Sequence, residues 1–554
     1  MKNAHTTAMQ CCLGLLSGAV MLTGFSFARA QNNGPGPASV VIHIDAAAGR
    51  HPISPLVYGV CFGSKDQLAL LNSPINRYGG NSATGYNWKN NSTNHANDWY
   101  FESIAEKSSA PADSVDSFIG DSLAGGATPM MTLTTIGWVS KIGPNRETIP
   151  SFSVAKYGAQ EKTDPSHSDS GNGMKTDGKT PITGNDPNDS YVKSDPDFEA
   201  GLVHHLIDKW GNSAHGGVQW YIMDNEPSIW NSTHRDMHPQ GETMDEILGD
   251  ILSYGSMVKK IDPGAKIAAP EEWGWPGYNT SGADQKYASL HNWQGHPDKD
   301  AHGGQDVYPW LLSQIHQHDE KTGTRMLDML TAHIYPQGGE GGDDVSAKIV
   351  ALRNRSTRSL WDPSYTDESW IKDKVMLIPR LKNWVAQNYP GTKIGITEYN
   401  WGAEKNISGA TAQADLLGIF GREGLDLATR WTTPGTDTPT FKAIQLYRNY
   451  DGHDSGFGDI GVSDTVPDPD TVSSFAGVRS KDHALTIIVI NKSQAGPASV
   501  SLALSHFPGK SAQVWQLTSA NRITQLPDAS VSAGSILANL PAQSITLYVV
   551  PYAN

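Results

Sequence analysis

Between residues 53 and 450, short apolar runs alternate with helix-like stretches, and this alternation constrains the fold more than any other feature. Strand-length runs fall at 56–61, 75–78, 129–135, 218–223, 266–269, 329–334, 393–397 and 427–431. Amphipathic stretches lie between many of them, at 198–210, 244–261, 370–389 and 410–425. A helix that returns the chain to the same edge of a sheet makes consecutive strands parallel and buries both their faces. Eight such units predict an α/β chain built on a (β/α)8 TIM-like barrel over residues 53–460. Active-site groups in this architecture stand at the C-terminal ends of the strands. Catalytic residues should therefore appear where an apolar run stops.

The texture changes past residue 461. Runs at 475–479, 485–491, 499–504, 512–517 and 545–550 are separated by turn residues, with no helical pattern, and predict a β-sandwich over 461–554. The early run 40–44 precedes the barrel, and residues 31–52 are expected to supply strands to that sandwich. Two long insertions, 139–197 and 273–308, read as loops after the third and fifth strands, on the face where a substrate cleft would form.

Residues 1–30 have the pattern of a signal peptide: Lys2, an uncharged stretch from Ala8 to Ala28, and small residues around Arg29. The competing reading is a membrane anchor, weakened by Gln10, Ser17, Thr23 and Ser26. Export with cleavage, and no membrane association afterwards, is the expectation. Removing Lys2 and Arg29 takes the net charge from -15 to -17. That charge disfavours nucleic acids and anionic membranes as partners, and a neutral polysaccharide needs no charge attraction. Of the three cysteines only Cys61 lies past the leader, so no internal disulfide forms and a buried, inert thiol is expected.

Two carboxyls stand where the barrel pattern places catalysts. The run ending at Met223 leads into Asp224-Asn225-Glu226-Pro227, and the run ending at Thr397 leads into Glu398-Tyr399-Asn400-Trp401. Hydrolysis of a glycosidic bond needs one carboxyl to protonate the leaving oxygen and another to stabilise the oxocarbenium-like centre. Strands four and seven face each other across the barrel mouth, so Glu226 and Glu398 can flank one sugar. A helix cap for Glu226 and a salt-bridged strand end for Glu398 are the bland alternatives, and agreement of two strand ends disfavours them.

Several motifs make this pattern specific. Arg77-Tyr78-Gly79-Gly80-Asn81, Asn97-Asp98-Trp99-Tyr100-Phe101-Glu102, Asp224-Asn225-Glu226-Pro227, His333-Ile334-Tyr335-Pro336-Gln337, Thr397-Glu398-Tyr399-Asn400 and Tyr447-Arg448-Asn449-Tyr450-Asp451-Gly452 occur in order. Together they resemble glycoside hydrolase family 44. The resemblance implies a barrel with a β-sandwich and retaining endo-action on β-1,4-glucans and xyloglucan. It assigns Glu226 as acid/base and Glu398 as nucleophile. It implies no organic cofactor, a β-glucan substrate and a structural calcium in some members. Monomeric action is expected.

The neighbours then acquire roles. Asn225 can donate to the sugar 2-hydroxyl, a contact that strengthens in the transition state. Tyr335 and Arg77 could each hold Glu398 ionised. His333 reads more simply as a core histidine. Among Trp88, Trp99, Trp138, Trp273, Trp275, Trp401 and Trp431, the strand-end pair Trp401 and Trp431 is expected to stack on sugars. Glu102, Asp186 and Asp189 are marked for calcium, whose hard charge suits oxygen ligands. His204-His205 lacks zinc spacing. Two rivals need exclusion. Gly120-Asp121-Ser122-Leu123 with Asp164-Pro165-Ser166-His167 would make a serine esterase through Ser122, but Ser122 ends a helical run instead of following a strand. A catalytically silent glycan-binding protein is the other.

Overall fold

The computed structural model describes residues 40–553; the leader read over residues 1–30 lies outside them. Eight parallel strands close into a barrel in chain order: β1 (Gly59–Cys61), β2 (Ile75–Tyr78), β3 (Thr128–Leu133), β4 (Trp220–Met223), β5 (Lys266–Glu272), β6 (Met329–Ile334), β7 (Lys393–Tyr399) and β8 (Leu427–Arg430). Every expected strand is present. β1 begins later than expected, because Pro55–Tyr58 winds into a 3-10 turn capped by the Ser54 side chain. β5 runs three residues further than expected, past Pro270 to Glu272. Ile75, Met130, Trp220, Ile222, Ala268, Met329 and Leu427 make one buried apolar cluster of barrel residues.

The helices outside follow from local chemistry. Met244–Ile261 opens with a capping box from Thr243 and Glu246, carries acids in its first turn, and ends on Lys259 and Lys260. This charge order complements the helix dipole. Ile407–Arg422 differs from the amphipathic expectation, since residues 407–421 are all buried. It runs between the barrel and the sandwich, with Gly418 pressed against Phe475. A helix covered on all sides needs no polar face.

The sandwich joins a seven-stranded sheet to a four-stranded one. Val40–Asp45 pairs in parallel with Ala498–Ser505 and antiparallel with Ser463–Thr465, so the chain's early residues complete its late sheet. Thr524–Ser530 and Ser535–Leu540 are strands without a sequence signal, because their exposed positions dilute the apolar alternation. Asp415 on the shared helix meets Lys492 at 2.8 Å and takes hydrogen bonds from Ser473 and Thr357. Both charges are buried, and they fasten the sandwich to the barrel. Among the described residues no helix is long and apolar enough to cross a membrane.

Candidate active site

At the C-terminal mouth of the barrel, β2, β4, β5, β6 and β7 send charged side chains to one point. Glu226 sits immediately past β4. Asp224 anchors that corner by accepting from Thr84 Oγ1 at 2.6 Å and from the Thr135 and Ile136 amides. Asp224, Glu226 and Glu271 all have positive φ, at 59°, 49° and 61°. Non-glycine residues hold that conformation only where the surroundings enforce it, and such positions gather at functional sites. A register shift between β6 and β7 sets His333 opposite Glu398, and one between β5 and β6 spans Glu271.

One oxygen of Glu226, one of Glu398 and a nitrogen of His333 lie within 4.8 Å of one another. Glu398 accepts from Arg77 Nη1 at 2.8 Å and from the Tyr335 hydroxyl at 2.7 Å, both donors that suit a carboxylate. His333 Nδ1 lies 2.8 Å from Glu226 Oε1, and its Nε2 lies 3.0 Å from Glu271 Oε2. Arg77 reaches Glu271 at 2.8 Å and Asn225 Oδ1 at 3.1 Å. The same packing leaves no room for side chains at the glycines of the Arg77 motif. A Cβ on Gly79 would strike the Arg77 guanidinium, and one on Gly80 would meet the Trp431 ring at 2.3 Å. The Gly80 amide donates to Asn225 Oδ1, and Asn225 Nδ2 donates to Asn81 Oδ1.

Charge balance sorts the carboxyls. Burial alone would raise Glu271, but Arg77 and His333 overrule it and hold it at about 2. Burial would lower His333, yet Glu398, Glu226 and Glu271 together push it up to about 10. Two cations, Arg77 and His333, thus lie against three carboxyls, Glu226, Glu271 and Glu398. Glu226 is raised above 4.5, by burial first and by Glu398 second, against the pull of His333. Its side chain keeps 13% of its surface open to solvent. Cys61 beneath Arg77 is buried and its thiol is pushed up to about 12, as an inert cysteine should be.

Sequence reasoning placed Arg77, Asn225, Glu226, Tyr335 and Glu398 here, and they meet. It missed Glu271 and treated His333 as core; both link the two central glutamates. The two tryptophans separate. Trp431 is half-buried beside Gly80 and Arg77. Trp401 is buried, with its indole donating to Ser356 Oγ at 2.9 Å, and has no open face for a sugar. The acids marked for calcium also separate. Asp189 is taken by Lys156 at 2.6 Å and Asp186 by Asn188. Glu102 instead gathers with Asp164 and His167, and neither of its buried oxygens makes a well-formed hydrogen bond. A cation would satisfy those oxygens. Two carboxylates with an imidazole fit a zinc- or manganese-like ion better than calcium, which favours oxygen alone. Ser122 is buried in helix Asp113–Ala124, donates to the Phe118 carbonyl and accepts from Asn76 Nδ2. His167 belongs to the Glu102 cluster, so the esterase triad does not assemble.

Residues 92–338 match the model of glycoside hydrolase family 44. A solved Clostridium acetobutylium endoglucanase of that family is 31% identical, with 92% of this chain and 99% of that one covered and a TM-score of 0.75. The chain belongs to glycoside hydrolase family 44. CelM2, a bifunctional glucanase-xylanase from a metagenome library, is 55% identical, with 94% and 100% covered and a TM-score of 0.92. Beta-mannanase/endoglucanase A of Caldicellulosiruptor saccharolyticus is 32% identical over 506 residues, which are 85% of this chain. The chain spans only 35% of that relative's length.

Proposed function

We propose that this family 44 member is a secreted, monomeric, retaining endo-β-1,4-glucanase, with Glu226 as acid/base and Glu398 as nucleophile. The single observation carrying this reading is the approach of Glu226 and Glu398 oxygens to within 4.8 Å at the barrel mouth. Retaining enzymes hold their carboxyls about 5–5.5 Å apart, whereas inverting ones need roughly 6.5–9.5 Å to admit a water. Relatives named for mannan, glucan and xylan share a neutral β-linked backbone, which suits a site without a free cation for an acidic sugar. Xyloglucan and soluble cellulose are the proposed substrates.

In the first step a Glu398 oxygen attacks the anomeric carbon as the glycosidic C–O bond breaks, and Glu226 gives its proton to the departing oxygen. Arg77 and Tyr335 fix the Glu398 carboxylate for that attack. Asn225 Nδ2, which donates to Asn81 Oδ1 in the free protein, would donate to the 2-hydroxyl. In the second step water gives a proton to Glu226 and attacks the same carbon, displacing Glu398. No organic cofactor enters either step. A divalent ion at Glu102, Asp164 and His167 would brace the insertion and take no part in the chemistry.

Glu398→Ala should lose several orders of magnitude in turnover, and azide should restore turnover with an α-glycosyl azide as product. Glu226→Ala should keep the first step on aryl glycosides with good leaving groups and lose it on glucans, by roughly 100- to 10,000-fold. A folded Glu398→Ala protein that azide leaves unrescued would remove the nucleophile assignment.

A further inference from the structure

Glu272 ends β5, is fully buried, and belongs neither to the catalytic pair nor to the ion pairs around Arg77. Its Oε2 accepts from the Ser228 hydroxyl, and the Ser228 amide faces the same carboxyl. Its Oε1 has no hydrogen-bond partner. Arg77 and His333, the cations of the barrel mouth, are engaged by Glu226, Glu271 and Glu398 and make no ion pair with it. The titratable groups around it are Glu226, Glu242, His333, Tyr278 and Tyr308. Burial raises Glu272, the Ser228 hydroxyl pulls against the rise, and the nearby Glu226 adds to it, leaving Glu272 at about 8. Below that pH its side chain is a neutral carboxylic acid.

That carboxyl holds the turn that carries Glu226. Pro227–Ile229 is a single 3-10 turn, with Glu226 at its N-cap position. The free amides at such a start are ordinarily met by the cap side chain. Pro227 has no amide hydrogen, so Ser228 presents the first one, and Glu226 makes no cap hydrogen bond to it. Glu226 is turned to His333 instead. Glu272 reaches Ser228 from β5 and takes the place of the missing cap. Close packing fixes that reach. A Cβ on Gly277 would strike both the Glu272 carboxyl and Ser228 Oγ, and one on Gly282 would strike the Ser228 carbonyl. Glu226 N donates to Glu271 O at 3.2 Å, so the two consecutive glutamates of β5 grip the turn at Glu226 and at Ser228. We propose that Glu272 is a positioning residue for the general acid, capping the Pro227–Ile229 turn in place of Glu226 and so freeing the Glu226 carboxyl to face the glycosidic oxygen. This rests on the assignment of Glu226 as the acid.

The test follows kcat/KM along a series of aryl β-cellobiosides, from dinitrophenyl, whose departing phenolate needs no proton, to phenyl, which needs one. A misplaced acid slows only the second kind. Glu272→Ala and Ser228→Ala should each lower kcat/KM on the phenyl glycoside roughly tenfold, part of what proton transfer contributes, and leave the dinitrophenyl glycoside within about twofold. Glu272→Gln keeps a neutral acceptor for the Ser228 hydroxyl and should restore the phenyl rate. Thermal midpoints check that each variant is folded. Equal losses on both glycosides, no loss on either, or a Glu272→Gln protein as slow on the phenyl glycoside as Glu272→Ala would overturn the positioning role. Glu226→Ala on the same series reads the acid assignment separately: a leaving-group dependence no steeper than that of wild type would remove that assignment whatever the Glu272 variants do.

Discussion

Arg77→Met removes the one permanent cation of the buried charge cluster while keeping an unbranched apolar stem. Arg77 is fully buried and lies 2.8 Å from both Glu271 and Glu398. Glu271 stands at about 2 in the folded protein against an ordinary 4.5. At 1.36 kcal/mol for each tenfold change in acidity, that difference ties about 3 kcal/mol of stability to the ionised carboxyl. Breaking a buried ion pair from one side costs roughly 3–5 kcal/mol, so the two routes agree. The sign follows from a lowered folded value. The contribution is complete above about pH 4.5 and disappears as the pH falls towards 2. The variant should therefore be weakest relative to wild type at pH 7, and the gap should narrow by pH 3.5. Urea unfolding followed by tryptophan fluorescence at both pH values measures it. Arg77→Lys, which keeps a single cation, should recover part of the loss. A gap of the same size at pH 7 and pH 3.5 would refute the electrostatic account and leave packing as the cause.

The two strand-end tryptophans should respond in opposite ways: Trp401→Ala should cost roughly 3–5 kcal/mol of stability, read as a lowered thermal midpoint. Trp431→Ala should keep the midpoint and lose activity on glucans. Asp415→Leu alone should destabilise by roughly 3–5 kcal/mol through the stranded Lys492, and adding Lys492→Met should restore most of it in a double-mutant cycle by thermal unfolding. A chelator should lower the thermal midpoint of the wild type, and Glu102→Gln should abolish that response while leaving the aryl-cellobioside rate unaffected.

What the sequence made legible was whatever a strand end announces. Glu226 and Glu398 follow runs whose apolar character stops abruptly, and the barrel pattern turns that stop into a place. Glu271 was hidden by Pro270. A proline reads as the end of a strand because it cannot donate to the ladder, yet β5 continues through it and carries Glu271 inward on a left-handed backbone. Trp401 shows the converse. Adjacency to a strand end marks both tryptophans equally, and only the cover from Ser356 and Arg353, some fifty residues away, buries one of them. The Glu102 cluster joins residues 62 and 65 apart in a stretch without periodicity, where spacing carries no signal.

His333 is the clearest instance of a role that position alone could not assign. A strand histidine is most often satisfied by its neighbours, and this one is satisfied too, but by three carboxyls, Glu226, Glu271 and Glu398, with the Arg77 guanidinium also beside it. Its charge, with that of Arg77, offsets the carboxyls gathered in this buried site and holds Glu271 down. Three carboxyls share two cations, and His333 is divided between Glu226 and Glu271. Burial nonetheless raises Glu226 above its ordinary value against the pull of His333, the direction in which a carboxyl keeps its proton longer.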